Sequence, residues 1–338
     1  MPQIKILSLF LILLLAGCSG HPLSQGRAFN LDEVSFSSLP GWQDDDLNDA
    51  YPALERSCQK ATAEWADFCN GLSGYKYASS RKLRRYIERK LTPYAVKSNG
   101  ENTGRITGYY EAELTGTRQR VSATQVPVYG LPNGYDKNEQ YDVRSDIERE
   151  GLNAPIIAWA DSPVDLFLMH VQGSGRMRTP DGEIHLGYAG SNNRPFKGIG
   201  QILKDEGLLD EVGHAMVQIR AWLKNHPEKA KKLMAQNDRY IFFREINGET
   251  PIGTAGVPLT PRHSVAVDRT YIPMHTPMWL VTEDPNGEKV RTIVVAQDTG
   301  SAIKGGIRAD YFFGHGDEAL ELAGRMNKKG RYYLLLAE

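Results

Sequence analysis

Three aspartates in the last third of the chain have the surroundings of acid–base groups. Asp268 follows the apolar run 265–267, Asp298 follows the apolar run 293–296, and Asp310 lies among apolar and aromatic residues. Burial raises the pKa of a carboxyl group, and a second carboxylate nearby raises it further. A carboxyl group that keeps its proton near neutral pH can act as the general acid in glycosidic cleavage. The sequence therefore predicts acid–base chemistry in this region.

A structural role is the alternative for each of these aspartates, because aspartate also caps turns and accepts hydrogen bonds from backbone amides. Three of them in one region favour chemistry, although position alone does not select the acid. The chain has no C-x-x-C, no H-E-x-x-H and no cluster among its eight histidines. We therefore expect no metal site and no cofactor.

The elements that must position these groups are mostly short strands. Apolar runs between Gly and Pro predict strands at 106–114, 126–129, 155–160, 166–171, 240–244, 264–267, 278–282, 291–296, 307–313 and 331–336. Helical spacing and capping residues predict helices at 46–68, from Ser79 or Ser80 to Lys90, and at 199–206, 211–223, 228–235 and 318–326. Many short strands with few helices favour a barrel-like β architecture over a parallel α/β sheet.

The start of the chain is typical of an exported protein. Lys5 is the only charged side chain among the first eighteen residues, and it precedes the apolar run 6–15. That run is too short to span a bilayer, which takes about 20 apolar residues. A basic start before a short apolar core indicates a secretory signal peptide.

The segment Leu15-Ala16-Gly17-Cys18 resembles the lipobox of bacterial lipoproteins, in which the cysteine is lipidated and becomes the N-terminus. Ser19 is similar to the outer-membrane sorting pattern. We predict a signal peptide at 1–17, lipidation of Cys18, a flexible tether over 18–40, and anchoring to the outer membrane, facing the periplasm. An ordinary signal peptide with a chance cysteine is the alternative.

Composition limits the partners of the remaining chain. Lys and Arg (40) nearly balance Asp and Glu (41), so no strongly basic surface for nucleic acid is expected. About 320 residues remain after position 17, which is long for one core and favours two domains. Cys58 and Cys69 can pair in an oxidising periplasm, but not from one continuous helix. A disulfide and two buried thiols both remain open.

Ordered motifs connect these observations to a known family. The motifs are TGYYE at 107–111, VQGSG at 171–175, GYAG at 187–190, GVPLTP at 256–261, AVDR at 266–269, YIP at 271–273, DTGSAIKG at 298–305 and RADYF at 308–312. Together they resemble the membrane-bound lytic murein transglycosylase A family, including its three-aspartate domain and its characteristic insert. The resemblance covers roughly residues 105–336.

The resemblance implies a mainly β fold with accessory helices. It consists of a double-psi β-barrel that carries a second, inserted β domain, with a groove between them. We expect a helical N-terminal part plus the three-aspartate barrel at 41–107 and 241–338, and the inserted domain at 108–240.

The resemblance also implies a lytic transglycosylase. Such an enzyme cleaves the β-1,4 bond between N-acetylmuramic acid and N-acetylglucosamine in peptidoglycan and forms a 1,6-anhydromuramic product. Carried over by motif, the catalytic residue is Asp310, and Asp298 and Asp268 are supporting acids. The expected substrate-binding residues are Thr107, Gly108, Tyr109, Tyr110, Gln172, Gly173, Ser174 and Lys304.

Some of these residues have structural alternatives. Tyr109 and Tyr110 offer rings and hydroxyls to a sugar, or pack in a sheet. Gly173 brings backbone amides close to the glycan, or forms a tight hairpin turn. Lys304 holds a carboxylate in its ionised form, or is solvated.

Two other functions compete with the transglycosylase. One is a hydrolase of the same bond, in which water replaces the muramic C6 hydroxyl. The other is a non-catalytic wall-binding lipoprotein, because double-psi barrels also occur in expansin-like proteins. The predicted partners are peptidoglycan glycan strands and, through the lipid on Cys18, a membrane. Protein partners in wall synthesis remain open.

Overall fold

The computed structural model describes residues 29–60, 62–249 and 251–337. The predicted signal peptide and Cys18 lie outside the described residues. Within them, no helix combines the length and the apolar character needed to cross a membrane.

The described residues form thirteen strands and ten α-helices. The strands are β1 (Phe29–Glu33), β2 (Leu91–Ser98), β3 (Gly104–Thr117), β4 (Val126–Tyr129), β5 (Ile156–Ala160), β6 (Gly175–Thr179), β7 (Gly182–Ser191), β8 (Ile241–Glu245), β9 (Ser264–Val267), β10 (Pro277–Glu283), β11 (Lys289–Asp298), β12 (Arg308–His315) and β13 (Asn327–Ala337). The helices are α1 (Tyr51–Cys58), α2 (Ala66–Leu72), α3 (Ser80–Lys90), α4 (Arg144–Glu150), α5 (Pro163–Gln172), α6 (Ile199–Asp205), α7 (Leu209–Val212), α8 (Met216–Asn225), α9 (Pro227–Met234) and α10 (Asp317–Arg325).

Strands of the described chain close into a ring, in the order β13, β10, β11, β9, β12, β3 and back to β13. The pairs β9–β11 and β12–β3 are parallel, and the other pairs in the ring are antiparallel. This arrangement confirms the prediction of a mainly β architecture. The closed ring leaves no free sheet edge among its members.

Alternation along each ring strand decides which side chains face inward. In β12, Ala309 and Tyr311 belong to the main apolar core, whereas Arg308 and Asp310 point to the opposite face. The neighbouring strands supply Val265, Val267, Met278, Leu280, Val294 and Leu334 to the same core. On β12 the polar residues Arg308 and Asp310 are therefore displayed on the outer face of the ring.

Strand β3 links the ring to the rest of the sheet. Its first half pairs with β12 and β13, and its second half pairs with β5 and β6. The sheet continues through β7 and β8. Helices α5 to α9 share a separate apolar core in this part of the chain. The region expected as an inserted β domain therefore contains helices as well as strands.

The N-terminal helices cover part of the ring's outer face. Residues of α1, α2 and α3 share an apolar core with Trp279, Ile293 and Leu335 from the ring. Cys58 at the end of α1 forms a disulfide with Cys69 in α2, with 5.2 Å between the two Cα atoms. The pairing that the sequence left open is thus a disulfide, and it closes a loop of a size that contributes about 3 kcal/mol.

Three predictions about elements are wrong. The single helix over 46–68 is interrupted between α1 and α2, and this interruption brings the two cysteines together. The helix over 211–223 is divided between α7 and α8 at Gly213. The tether over 18–40 is structured in its described part, because β1 pairs with β2 and Phe29 packs on Tyr271.

The predicted strand at 166–171 is also wrong, since these residues lie in α5. Ser162 caps this helix by accepting a hydrogen bond from the Asp165 backbone N–H at 3.2 Å, and Pro163 occupies its first turn. The helix is buried on nearly all sides, so its sequence is an apolar run without helical periodicity.

Candidate active site

Two of the three predicted aspartates lie in one row across the outer face of the ring. Asp298 at the end of β11 and Asp310 in β12 both pair with Ala266 of β9, from opposite sides. On its other side, Asp310 pairs with Thr107 of β3. Directly paired residues point to the same face, so the two carboxyl groups flank the small Ala266 side chain. Their Cα atoms are two strand spacings apart, about 10 Å.

A β-bulge positions Asp298 in this row. The pairing between β11 and β9 shifts between Ala296 and Asp298, which leaves Gln297 as the extra residue. The Gln297 side chain is fully buried, donates to the Ala53 carbonyl and the Ser57 hydroxyl at 2.8 Å, and accepts from Ser264. These contacts hold the bulge against α1, and the N-terminal helices therefore help to set the position of a site carboxyl group.

The Asp310 carboxyl group has a raised pKa. Burial is the largest cause, and the charge of Asp298 adds to it. The hydrogen bond from Thr107 and the charge of Arg308 act in the opposite direction without cancelling the rise. Asp310 is therefore a carboxyl group that holds its proton more tightly than an exposed aspartate does.

A short hydrogen-bond relay fixes one oxygen of Asp310. The Arg308 guanidinium donates to the Thr107 hydroxyl at 2.8 Å, and that hydroxyl donates to Asp310 Oδ1 at 2.5 Å. Because Arg308 occupies a lone pair of the hydroxyl oxygen, the hydroxyl hydrogen is directed at Asp310. The acidic proton is then left to Oδ2.

Asp298 is held by a turn on one side. Its Oδ1 accepts hydrogen bonds from the Thr254 backbone N–H at 3.0 Å, the Thr254 hydroxyl at 2.9 Å and the Thr299 backbone N–H at 2.9 Å. Burial raises the pKa of Asp298, and these donors only partly offset it. One oxygen is thus saturated with donors, and Tyr109 is a further donor near this carboxyl group.

Asp268 differs from both of them. Its Oδ1 accepts from the backbone N–H and the hydroxyl of Thr270, and its Oδ2 accepts from the Gly305 backbone N–H at 3.0 Å. Burial alone would raise the pKa of Asp268, but these donors and the charge of Lys304 lower it overall. Asp268 is an ionised residue that ties the loop before β12 to the end of β9.

Tyr109 belongs to the site, and Tyr110 lies on the opposite face of β3. The Tyr109 ring packs on Phe312 with 5.1 Å between centroids. The Tyr109 hydroxyl is buried and meets no strict hydrogen-bond geometry, but it lies close enough to the Asp298 carboxyl group to interact with it. Burial, the charges of Asp298 and Asp310 and this interaction raise the pKa of Tyr109 well above the ordinary value. Tyr110 is 7% exposed in the main core, so its ring offers no face to a sugar in this conformation.

Gly108 allows close packing behind the row of Asp298 and Asp310. A Cβ atom at this position would lie 2.6 Å from the Phe313 ring and 3.0 Å from the Ala323 backbone of α10. The position therefore requires glycine for packing, and its missing side chain faces the core rather than the outer surface.

The motif at 172–175 lies beside the middle of β3. The Gln172 side chain accepts a hydrogen bond from the Tyr110 backbone N–H at 3.3 Å. Gly173 ends α5 in a left-handed conformation with φ of 83°, and β6 begins at Gly175, so the alternative of a tight hairpin turn is wrong. Ser174 is partly exposed between them, and Lys304 is exposed in the loop near Asp268.

Two residues of the site were missed in the sequence. Arg308 stands in the RADYF motif but was not assigned a role, although a cation two residues from the acid shares its face of the strand. Thr254 lies 44 residues before Asp298, and nothing in its local sequence indicates that its hydroxyl and N–H bind a carboxylate.

Comparison with known proteins decides the family. The MltA specific insert domain model matches residues 105–244, and the 3D domain model matches residues 263–336. Membrane-bound lytic murein transglycosylase A of Vibrio cholerae is 31% identical over 363 residues, which cover 98% of this chain and 94% of that protein. The chain belongs to the membrane-bound lytic murein transglycosylase A family.

Solved structures of this family share the fold. MltA from Neisseria gonorrhoeae, in a monoclinic form, superposes with a TM-score of 0.83 at 33% identity, covering 93% of this chain and 94% of that chain. E. coli MltA with bound chitohexaose superposes with a TM-score of 0.74 at 26% identity, covering 93% and 95%. The mainly β architecture with its accessory helices is therefore the fold of the transglycosylase A family.

Proposed function

We propose that Asp310 is the acid and then the base of this peptidoglycan lytic transglycosylase. The observation that carries the proposal is the position of Asp310. It lies on the outer face of the ring with one oxygen fixed by Thr107, and burial raises its pKa. A polysaccharide can reach an outer face, and a proton held there can be delivered to it.

In the first step, Asp310 Oδ2 gives its proton to the oxygen that joins C1 of N-acetylmuramic acid to C4 of N-acetylglucosamine. The C1–O bond breaks, and its electron pair leaves with the N-acetylglucosamine hydroxyl. C1 becomes an oxocarbenium-like centre. The hydrogen bond from Thr107 and the charge of Arg308 stabilise the Asp310 carboxylate that remains.

In the second step, the carboxylate takes the proton from the muramic C6 hydroxyl, whose oxygen bonds to C1. The product is the 1,6-anhydro sugar, no water is consumed, and Asp310 is protonated again. One carboxyl group thus serves twice, unlike the two-carboxylate scheme of most glycoside hydrolases. Either Asp298 or the acetamido oxygen of the substrate stabilises the positive centre between the two steps.

Sugar contacts surround this pair. The buried Tyr109 hydroxyl lies beside both carboxyl groups, where it can exchange its interaction with Asp298 for a hydrogen bond to a sugar. The other predicted substrate-binding residues shape the sugar site through the course of β3 and the end of α5. They are Thr107, Gly108, Gln172, Gly173 and Ser174. Tyr110 contributes to the site only through its backbone. Asp268 and Lys304 act indirectly, by fixing the loop before β12.

The same proposal covers the domains and the location. The closed ring corresponds to the double-psi barrel of 41–107 and 241–338, and the strands and helices of 108–240 to the insert, with the groove along β3. The matches of the two domain models support this division. Lipidation of Cys18 after removal of 1–17 anchors the chain to the outer membrane on the periplasmic side, in keeping with relatives named membrane-bound.

Product analysis tests the proposal against its competitors. Purified sacculi are digested with the wild type and with Asp310→Asn, and the fragments are weighed by mass spectrometry. We expect fragments lighter by one water than hydrolase products from the wild type, and almost none from the variant. Full-mass reducing fragments would support the hydrolase. Unchanged turbidity of sacculi with the wild type would support a wall-binding protein.

A further inference from the structure

A row of cations runs beside the row of Asp298, Asp310 and Thr107, which we call the catalytic row, on the same face. Arg308 and Arg105 precede Asp310 and Thr107 by two residues, and residues two apart on a strand point the same way. Arg308 pairs with Arg105, and Arg105 pairs with Lys329 of β13. The row Arg308–Arg105–Lys329 therefore lies about 7 Å from the catalytic row.

The cations continue into a cavity of about 410 Å³ on the neighbouring strands. Arg331 and Arg291 pair with Val281 from its two sides, and Lys289 pairs with Glu283. The charged residues that line the cavity are Glu283, Lys289, Arg291, Lys328, Lys329 and Arg331. We call the five cations of this lining, together with Arg105 and Arg308, the basic band. The five are Lys289, Arg291, Lys328, Lys329 and Arg331.

The basic band has few acids beside it: Glu283 pairs with Lys289 in the cavity, and Asp310 lies near Arg308 and Arg105. None of its members forms an ion pair with another described residue. The whole chain has a net charge of −1, so the band is a local concentration and not a consequence of composition. Like charges on adjacent strands destabilise a sheet. An arrangement that costs folding free energy in this way is explained by an anionic ligand.

We propose that the basic band binds the carboxylates of the peptide stem carried by the muramic acid at the cleavage point. The inference rests on the proposed function and specifies its substrate. Muramic acid carries a lactyl ether, and the attached peptide bears acidic side chains and a terminal carboxylate. Arg and Lys bind carboxylates through charge-assisted hydrogen bonds.

The distances agree with this ligand. Lys329 lies two strand spacings and two residues from Asp310, which is about 12 Å between Cα atoms. A stem of four extended residues reaches about 13–14 Å. A stem leaving the sugar at Asp310 can therefore reach the near end of the cavity.

An anionic membrane surface is the other occupant to test. β1 begins at Phe29, eleven residues after Cys18 in the sequence, and Phe29 pairs with Ser98 at the edge of the sheet. The continuity from Asp310 through Arg308 to the cavity favours the substrate, because a membrane pressed on the band would also cover the catalytic row.

The experiment compares two substrates with matched variants of the full chain in detergent. The substrates are glycan strands that carry peptides and the same strands after an amidase has removed them. The variant Lys329→Gln/Arg331→Gln is compared with Lys231→Gln/Lys232→Gln, which removes the same charge from the exposed face of α9. We expect the wild type to show a lower KM for peptide-bearing strands than for bare strands. In the band variant, KM for peptide-bearing strands should rise about tenfold relative to bare strands, and added salt should reduce the difference.

The control variant should leave the ratio of the two KM values as in the wild type, and Lys329→Arg/Arg331→Lys should restore it. An unchanged ratio in the band variant would overturn the proposal. An unchanged ratio together with weaker binding to phosphatidylglycerol vesicles would assign the band to the membrane instead. The proposed function is judged separately, by whether the wild type releases anhydro products from bare strands.

Discussion

Asp310 lies in β12 and Asp268 directly follows the neighbouring strand β9, but their hydrogen bonds shift the two pKa values in opposite directions. Asp268 has both oxygens bound by donors from Thr270 and Gly305, which lower its pKa. Asp310 has one oxygen bound by Thr107, and burial raises its pKa. A buried carboxyl group whose oxygens are both bound by donors stays ionised and has a structural role, as Asp268 shows. Where one oxygen is not bound by such donors, as in Asp310, a buried carboxyl group can serve as the proton carrier that we propose.

The largest expected effect is a difference in activity between alanine variants of Asp310 and Asp268. Replacing Asp310 with alanine removes the proton donor and acceptor, so we expect kcat to fall by about 10²–10⁴-fold. The matched variant Asp268→Ala should lose much less at a temperature where it is folded. Release of anhydromuropeptides from sacculi measures both. Equal losses at the two positions would break the comparison.

The next effect is on stability, and it should have opposite signs in the Asn variants of Asp268 and Asp310. Asp268→Asn removes a carboxylate that binds three donors, so we expect a loss of about 1.5–3 kcal/mol in the free energy of unfolding at pH 7. Asp310→Asn removes a carboxyl group whose raised pKa makes its ionised form destabilising, so we expect a gain in stability at pH 7. Urea unfolding of both variants and the wild type measures these changes.

The pH dependence of these changes follows from the two pKa shifts. The pKa of Asp268 is lowered, so its stabilisation is present above the ordinary value of 3.8 and is lost as the pH falls through the folded value. The pKa of Asp310 is raised, so its unfavourable contribution grows as the pH rises from 3.8 through the folded value. The difference in the free energy of unfolding between each Asn variant and the wild type should therefore become smaller at acidic pH. A loss of stability in Asp310→Asn at pH 7 would contradict the account.

A smaller effect should appear in the pH profile of activity. The general acid must be protonated, so kcat/KM should fall as the pH rises through the pKa of Asp310. Thr107→Val removes a hydrogen bond that lowers this pKa. The alkaline limb should therefore move to higher pH, even though the activity at the optimum falls. A limb that moves to lower pH would show that Thr107 does not act on Asp310 in this way.

The sequence predicted the site in part. The strands of 264–267, 291–296 and 307–313 and the helices near 80–90 and 318–326 followed from periodicity, and the motifs placed Asp298 and Asp310 together. The difference between Asp268 and Asp310 was not predictable, because it depends on which amides reach each oxygen. Gly305 lies 37 residues after Asp268, and no local pattern reports that contact.

The remaining failures have the same physical origin. The run at 166–171 is apolar on every side, and only its cap at Ser162 distinguishes a buried helix from a strand. The bulge at Gln297 is held by Ala53 and Ser57 of α1, so its existence depends on a tertiary contact. The contribution of Thr254 to Asp298 likewise comes from a loop that the chain brings back from a distance.

The most direct measurement is the titration of the two carboxyl groups themselves. NMR of the full chain with ¹³C-labelled aspartate carboxyl groups, assigned with Asp310→Asn and Asp268→Asn, reports each pKa separately. We expect a pKa for Asp310 above the ordinary 3.8 and a pKa for Asp268 below it. Asp310 titrating at or below the value for Asp268 would contradict this expectation.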